Sequence, residues 1–100
     1  MTFASHLRED RRLVLLRLLS EQKGYRANSS NLHAGLYNLG IVASHDDVTT
    51  DLAWLAEQGL VLLESLPEVP GLTIATITSR GDDVALGRAV MPGVRRPGAR

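Results

Sequence analysis

One hundred residues, 44% of them hydrophobic and 22% charged, are enough for one globular domain with its own core, and this composition excludes wholesale disorder. There is no cysteine, which excludes disulfide scaffolds, thiolate metal sites and cysteine nucleophiles. Eleven basic and eleven acidic residues cancel to zero net charge, so affinity for nucleic acid would have to come from local clustering.

Residues 5–22 read as a helix, rich in Leu, Arg and Glu and free of Gly and Pro. Leu7, Val14, Leu15, Leu18 and Leu19 form its expected apolar face, and Gly24 ends it. Leu13 and Leu16 fall off that face. They are either scattered exposed leucines or a second contact surface such as a dimer interface. Residues 28–38 read as a second, short helix. Its start is offered several caps by Asn28-Ser29-Ser30-Asn31, its stripe is Leu32, Leu36 and Leu39, and its stop is Gly40. The apolar run Ile41-Val42-Ala43 is expected to be a buried turn.

Residues 44–58 carry the clearest helical pattern. Ser44 and Asp47 have the spacing of a capping box. Val48, Leu52, Leu55 and Ala56 share one face; Asp47, Thr50, Asp51, Trp54, Glu57 and Gln58 share the other. Residues 60–64 and 72–78 read as strands joined by a loop stiffened by Pro67 and Pro70. A last helix starts at Thr78 or Ser79 and runs to about residue 90, with Asp82 three residues after Ser79 in the capping pattern. Residues 1–91 then form the domain, and 92–100 a flexible basic tail. The fold class is α+β, mainly α: three helices, a β-hairpin and a C-terminal helix, the order of a winged helix-turn-helix.

The zero net charge hides a segregation. Residues 1–26 carry six bases against three acids, residues 44–79 six acids and no base, and residues 80–100 five arginines against two acids. No window approaches the roughly eighteen continuous apolar residues of a membrane span. Residues 1–12 are charged where a signal peptide needs an apolar stretch, so the chain reads as cytoplasmic.

The run from Ser44 to Val61, SHDDVTTDLAWLAEQGLV, resembles the recognition helix and first wing strand of bacterial winged-helix regulators of the ArsR, MarR and PadR type. Thr76-Ile77-Thr78-Ser79-Arg80-Gly81 resembles the end of the wing and the start of the next helix in the same groups. EDRRLVLLRLL from Glu9, DLAWLAEQGLV from Asp51, GLTIATITSRG from Gly71 and PGVRRP from Pro92 together resemble a family of small proteins of Mu-like phages and prophages. The resemblance spans nearly the whole chain. It implies a phage or prophage context in a bacterial cytoplasm, a homodimer and a DNA-binding, transcription-regulating role.

In a helix-turn-helix the second helix presents its first turns to the major groove. The candidate base-contacting residues are therefore His45, Thr49 and Thr50, and Arg26, Arg80, Arg95 and Arg96 are candidate contacts to double-stranded DNA. Against this, residues 44–53 contain no Arg, Lys, Asn or Gln, and phosphate neutralisation is the main source of affinity. The alternative is a protein-interaction module that binds a phage or host protein through Leu13, Leu16, Asp51 and Trp54. Trp54 either folds back on the hairpin or is an exposed anchor of the kind that dominates interfaces. His6, His33 and His45 share no ligand spacing, and there is no phosphate-cradling glycine loop or nucleophile elbow. Catalysis, a cofactor and a metal are not expected.

Overall fold

The computed structural model describes residues 2–98. Helix α1 spans Phe3–Glu21, with the Thr2 hydroxyl accepting from the Ser5 amide at its start. A 3-10 turn at Lys23–Tyr25, reversed through the left-handed Gly24 (φ 72°), leads to strand β1, Arg26–Asn28. Helix α2 is Ser29–Asn38, capped by the Asn28 side chain. Helix α3 is His45–Glu57, strands β2 and β3 are Val61–Ser65 and Thr73–Ile77, and helix α4 is Ser79–Ala85. The chain is thus mixed α+β and mainly helical, with four helices and a three-stranded antiparallel sheet in the order β1-β3-β2.

The sheet contains one strand more than the sequence pattern predicts. Three residues are too few to show an alternation. Arg26, Ala27 and Asn28 become a strand because β3 offers an open edge, pairing them with Thr76, Ala75 and Ile74. On the other edge of β3, Val61 faces Ile77 and Ser65 faces Thr73. The Ser29 hydroxyl accepts from the Thr73 amide at 3.2 Å, joining the start of α2 to the sheet.

One core fills the space between the helices and the sheet. Leu15, Leu16, Leu19, Leu32, Leu36, Val48, Leu52, Leu55, Leu60, Val61, Ala75 and Val84 are all buried in it. The buried face of α1 differs from the expected one: Leu13 and Leu16 are buried, Leu7 is exposed, and Val14 and Leu18 are half-buried. The cause is that α1 is covered from two sides. α2, α3 and the sheet meet one side, and α4 with the segment after it meets the other. Leu39 and Val42 are exposed, contrary to the reading of residues 39–43, because the turn after Gly40 (φ 80°) runs over the surface.

α4 ends at Ala85, not near residue 90. The chain reverses at Gly87 (φ 81°), with the Arg88 amide donating to the Asp83 carbonyl. That reversal brings Met91 and Val94 into the core. The Arg95 amide then donates to the Glu9 carbonyl at 3.2 Å, and its guanidinium to Asp10 at 2.8 Å. Residues 92–98 therefore pack along α1 as part of the domain, which corrects the flexible tail; the last two residues of that expectation lie outside the described residues.

Candidate nucleic-acid interface

α3 is positioned from both ends. At its start the Ser44 hydroxyl accepts from the Asp47 amide at 2.9 Å, and the Asp47 carboxylate accepts from the Ser44 amide at 3.0 Å. That backbone bond, ahead of the Ser44 hydroxyl and the field of Arg11, holds the Asp47 carboxyl below its ordinary pKa. Two further contacts tie α2 to this end. The His33 ring stacks on His45, centroids 4.0 Å apart at 18°. His33 Nε2 lies 2.7 Å from the Ala43 carbonyl oxygen; since a carbonyl only accepts, Nε2 carries the proton.

In its middle, α3 is held by Asp51. This carboxylate is 1% exposed and lies between two guanidiniums, Arg11 and Arg12, with Arg12 Nε at 3.1 Å. Arg12 is itself buried. Its guanidinium carbon sits 3.9 Å from the Trp54 ring centroid, and its Nη1 donates to the Gly93 carbonyl at 3.1 Å. A charge removed from water needs such partners to be tolerated. Among the described residues, no buried side-chain nitrogen or oxygen lacks one.

What remains outward on α3 is His45, Asp46, Asp47, Thr49, Thr50, Ala53 and Glu57, all exposed. The fold thus brings His45, Thr49 and Thr50 together on one outward face, with Asp46 and Glu57 beside them and no base on the helix. The candidate arginines stand on three other elements. Arg26 is on β1 and pairs with Glu64 across the sheet at 3.1 Å. Arg80 is exposed in the first turn of α4, and Arg95 and Arg96 lie on the segment along α1. The Arg26 pair is half-exposed at both ends, a class worth about 0–1 kcal/mol.

The proposed protein-facing set is corrected. Leu13 is 4% exposed and Leu16 is fully buried, so neither is a contact surface of the folded chain. Asp51 points inward to Arg11 and Arg12. Trp54 is half-buried, with Arg12 on its face and Gly93 against its edge. The residues missed were Arg11, Arg12 and His33. A signal for the first two existed: Asp51 lies too deep in α3 to be a cap, and an unexplained carboxylate there called for a base elsewhere.

Among the described residues, no three His, Asp or Glu side chains group as metal ligands, and no helix is long and apolar enough to cross a membrane. No family model matches the chain. It is 48% identical over 91 residues to "Uncharacterized protein gp26" of Escherichia phage Mu, covering 91% of each chain. It is 46% identical over 80 residues to an uncharacterized protein of Haemophilus influenzae, covering 80% of this chain and 76% of the relative. Two solved complex structures of RosR, S1 and S4, resemble it with a TM-score of 0.62 at 18% identity. The likeness covers 75% and 80% of this chain but 63% and 71% of the RosR chains. At that identity what is shared is the fold.

Proposed function

Since the chain belongs to the family of phage Mu gp26, we propose that it is a winged-helix, DNA-binding regulator of phage or prophage genes, acting as a dimer in the bacterial cytoplasm. In this reading α2 and α3 are the helix-turn-helix, β2 and β3 the wing, and α3 the reading helix. The observation that carries it is the α3 surface. His45, Thr49 and Thr50 stand exposed on the first turns of the second helix of the pair, where this motif meets base edges. The RosR fold likeness supports the same architecture. Threonine can bond to bases or phosphates and its methyl can pack on thymine. The exposed Arg80 and Arg96 are then the phosphate contacts.

The test is a fluorescence anisotropy titration of phage promoter duplexes at low salt. The expected result is a dissociation constant tighter than about 10⁻⁶ M for a preferred sequence. Thr49→Ala with Thr50→Ala should erase the preference while leaving the fold intact. Binding weaker than that, with no preference among sequences, overturns the reading.

A second reading is favoured by one specific observation: α3 shows Asp46, Asp47 and Glu57 to solvent without a single base. That face suits a basic protein partner better than a polyanion. Capture of a phage or host protein that is lost in Asp46→Lys with Glu57→Lys, together with absent DNA binding, would favour it.

A further inference from the structure

Three arginines line one groove. It runs between α1 and residues 95–98 and has a volume of about 330 Å³. Asp10, Leu13, Val14 and Arg17 form its helical wall, Arg95 and Arg96 the other. On α1, Asp10, Leu13 and Arg17 recur at spacings of three and four residues, which sets them on one side of the helix. The second wall is held by its own anchors. Val94 is buried, the Arg95 amide donates to the Glu9 carbonyl, and Pro97 lies against Gly87. The groove is thus shaped before any ligand arrives, which lowers the cost of binding.

Its charge is unbalanced. Asp10 accepts from Arg95 Nη1 at 2.8 Å and so offsets one positive charge. Among the described residues neither Arg17 nor Arg96 makes an ion pair, and both are exposed. Glu21, one turn beyond Arg17, lines the neighbouring hollows and not this groove. Three guanidiniums against one carboxylate leave two positive charges over. Each guanidinium is a planar fork of donors that fits an oxyanion. A phosphate monoester brings close to two negative charges and three acceptor oxygens, which matches the surplus; a carboxylate brings half the charge. The half-buried Val14 beside the arginines suits the carbon skeleton of such an ester.

We propose that this groove is an anion site of its own, taking the phosphate group of a small phosphate ester. It is set apart from the outward face of α3. Arg12 reaches α3 at Asp51 and Trp54, and Asp10 and Arg17 leave α1 about 140–160° away from Arg12. On α3, Thr49 and Ala53 in turn leave the helix about 160° away from Asp51. Both helices therefore stand between Arg17 and that outward face, and a duplex seated on α3 does not lie over Arg17.

This goes beyond the DNA-binding reading and stands without it. The test is a heteronuclear NMR titration of the isotope-labelled full chain, without DNA and at fixed ionic strength. The probes are phenyl phosphate, inorganic phosphate and benzoate. Phenyl phosphate should shift the Nε–H signals of Arg17, Arg95 and Arg96 and the backbone amides of Arg95, Arg96 and Gly98, and the shifts should saturate. Inorganic phosphate should shift the same signals, and benzoate should bind about tenfold or more weaker than phenyl phosphate. Arg17→Gln and Arg96→Gln should each weaken phenyl phosphate about tenfold or more. Arg88→Gln, outside the groove, should leave it unchanged, with the same far-ultraviolet circular dichroism in all variants. Shifts that never saturate, equal affinity for benzoate, or binding untouched by both groove variants overturn the proposal. In the regulator reading Arg96 alone of the three is given to the duplex, so Arg17→Gln separates the two sources of phosphate. Promoter affinity unchanged in that variant supports a separate site. Promoter affinity lost in step with phenyl phosphate makes the groove part of the DNA contact and overturns it. Saturable phenyl phosphate binding by a chain that binds no promoter removes the regulator reading and leaves this one.

Discussion

Arg12 of α1 lies over the indole of Trp54 in α3, its guanidinium carbon 3.9 Å from the ring centroid, while its Nε bonds Asp51 at 3.1 Å and its Nη1 the Gly93 carbonyl at 3.1 Å. One buried side chain thereby ties the first helix, the candidate reading helix and the C-terminal segment together. A planar guanidinium suits this role: one face stacks while the edge donates.

Asp51→Ala strands Arg12 in the core without its carboxylate. Loss of one member of a buried pair costs about 3–5 kcal/mol, so urea unfolding should show a large fall in midpoint. Arg11→Ala should cost less, because Arg12 still pairs with Asp51 and Arg11 is more exposed. Equal losses for the two variants would contradict the central place given to Arg12.

Gly81 and Gly59 separate packing from backbone conformation. A Cβ at Gly81 would strike the Leu60 carbonyl oxygen and lie 2.8 Å from Ile77 Cγ1, whereas at Gly59 (φ 75°) nothing stands within 4 Å. Gly59→Ala should cost about 1–2 kcal/mol, the left-handed penalty alone. Gly81→Ala forces α4 off the turn before β2 and should cost about 3 kcal/mol or more. Equilibrium denaturation of the two variants side by side measures the difference.

The capping box makes α3 acid-sensitive. The Asp47 carboxyl is depressed in the folded state by the Ser44 amide, so its contribution is full above the unfolded carboxyl pKa of about 3.9. It is lost as pH falls through the lower folded value. Asp47→Asn should remove this increment of pH dependence below about pH 4. Ser44→Ala should lower stability by about 1 kcal/mol at neutral pH. Stability curves against pH for the three proteins provide the check.

Ending the chain after residue 91 tests whether the C-terminal segment belongs to the fold. The cut removes the burial of Val94, the cover on Trp54 and the Arg95 contacts to Glu9 and Asp10. Burial of Val94 alone is worth about 1.5–3 kcal/mol, so the melting temperature should drop by several degrees. An unchanged melting temperature would restore the tail to a passive role.

Local chemistry was legible along the chain wherever a short-range rule applied. The starts of α2, α3 and α4 follow from capping side chains within three residues, and β2 and β3 from runs of Leu, Ile, Val and Thr. The outward placement of His45, Thr49 and Thr50 follows from the Val48, Leu52 and Leu55 face of the same helix. The length of α4 was not legible, because Gly87 alone does not show that Met91 and Val94 must return to the core. β1 was hidden for a similar reason: three residues are a strand only by virtue of what they pair with.

The amino-acid sequence by itself determined the order of the four helices and of β2 and β3, the starts of α2, α3 and α4 set by their caps, and the charge segregation, since each depends on residues a few positions apart. Only the tertiary structure decided the fate of Asp51, Trp54, Leu13 and Leu16. The partners that bury them, Arg12 and residues 91–97, lie some forty to eighty positions away along the chain, and periodicity within one helix says nothing about how many neighbours will cover it.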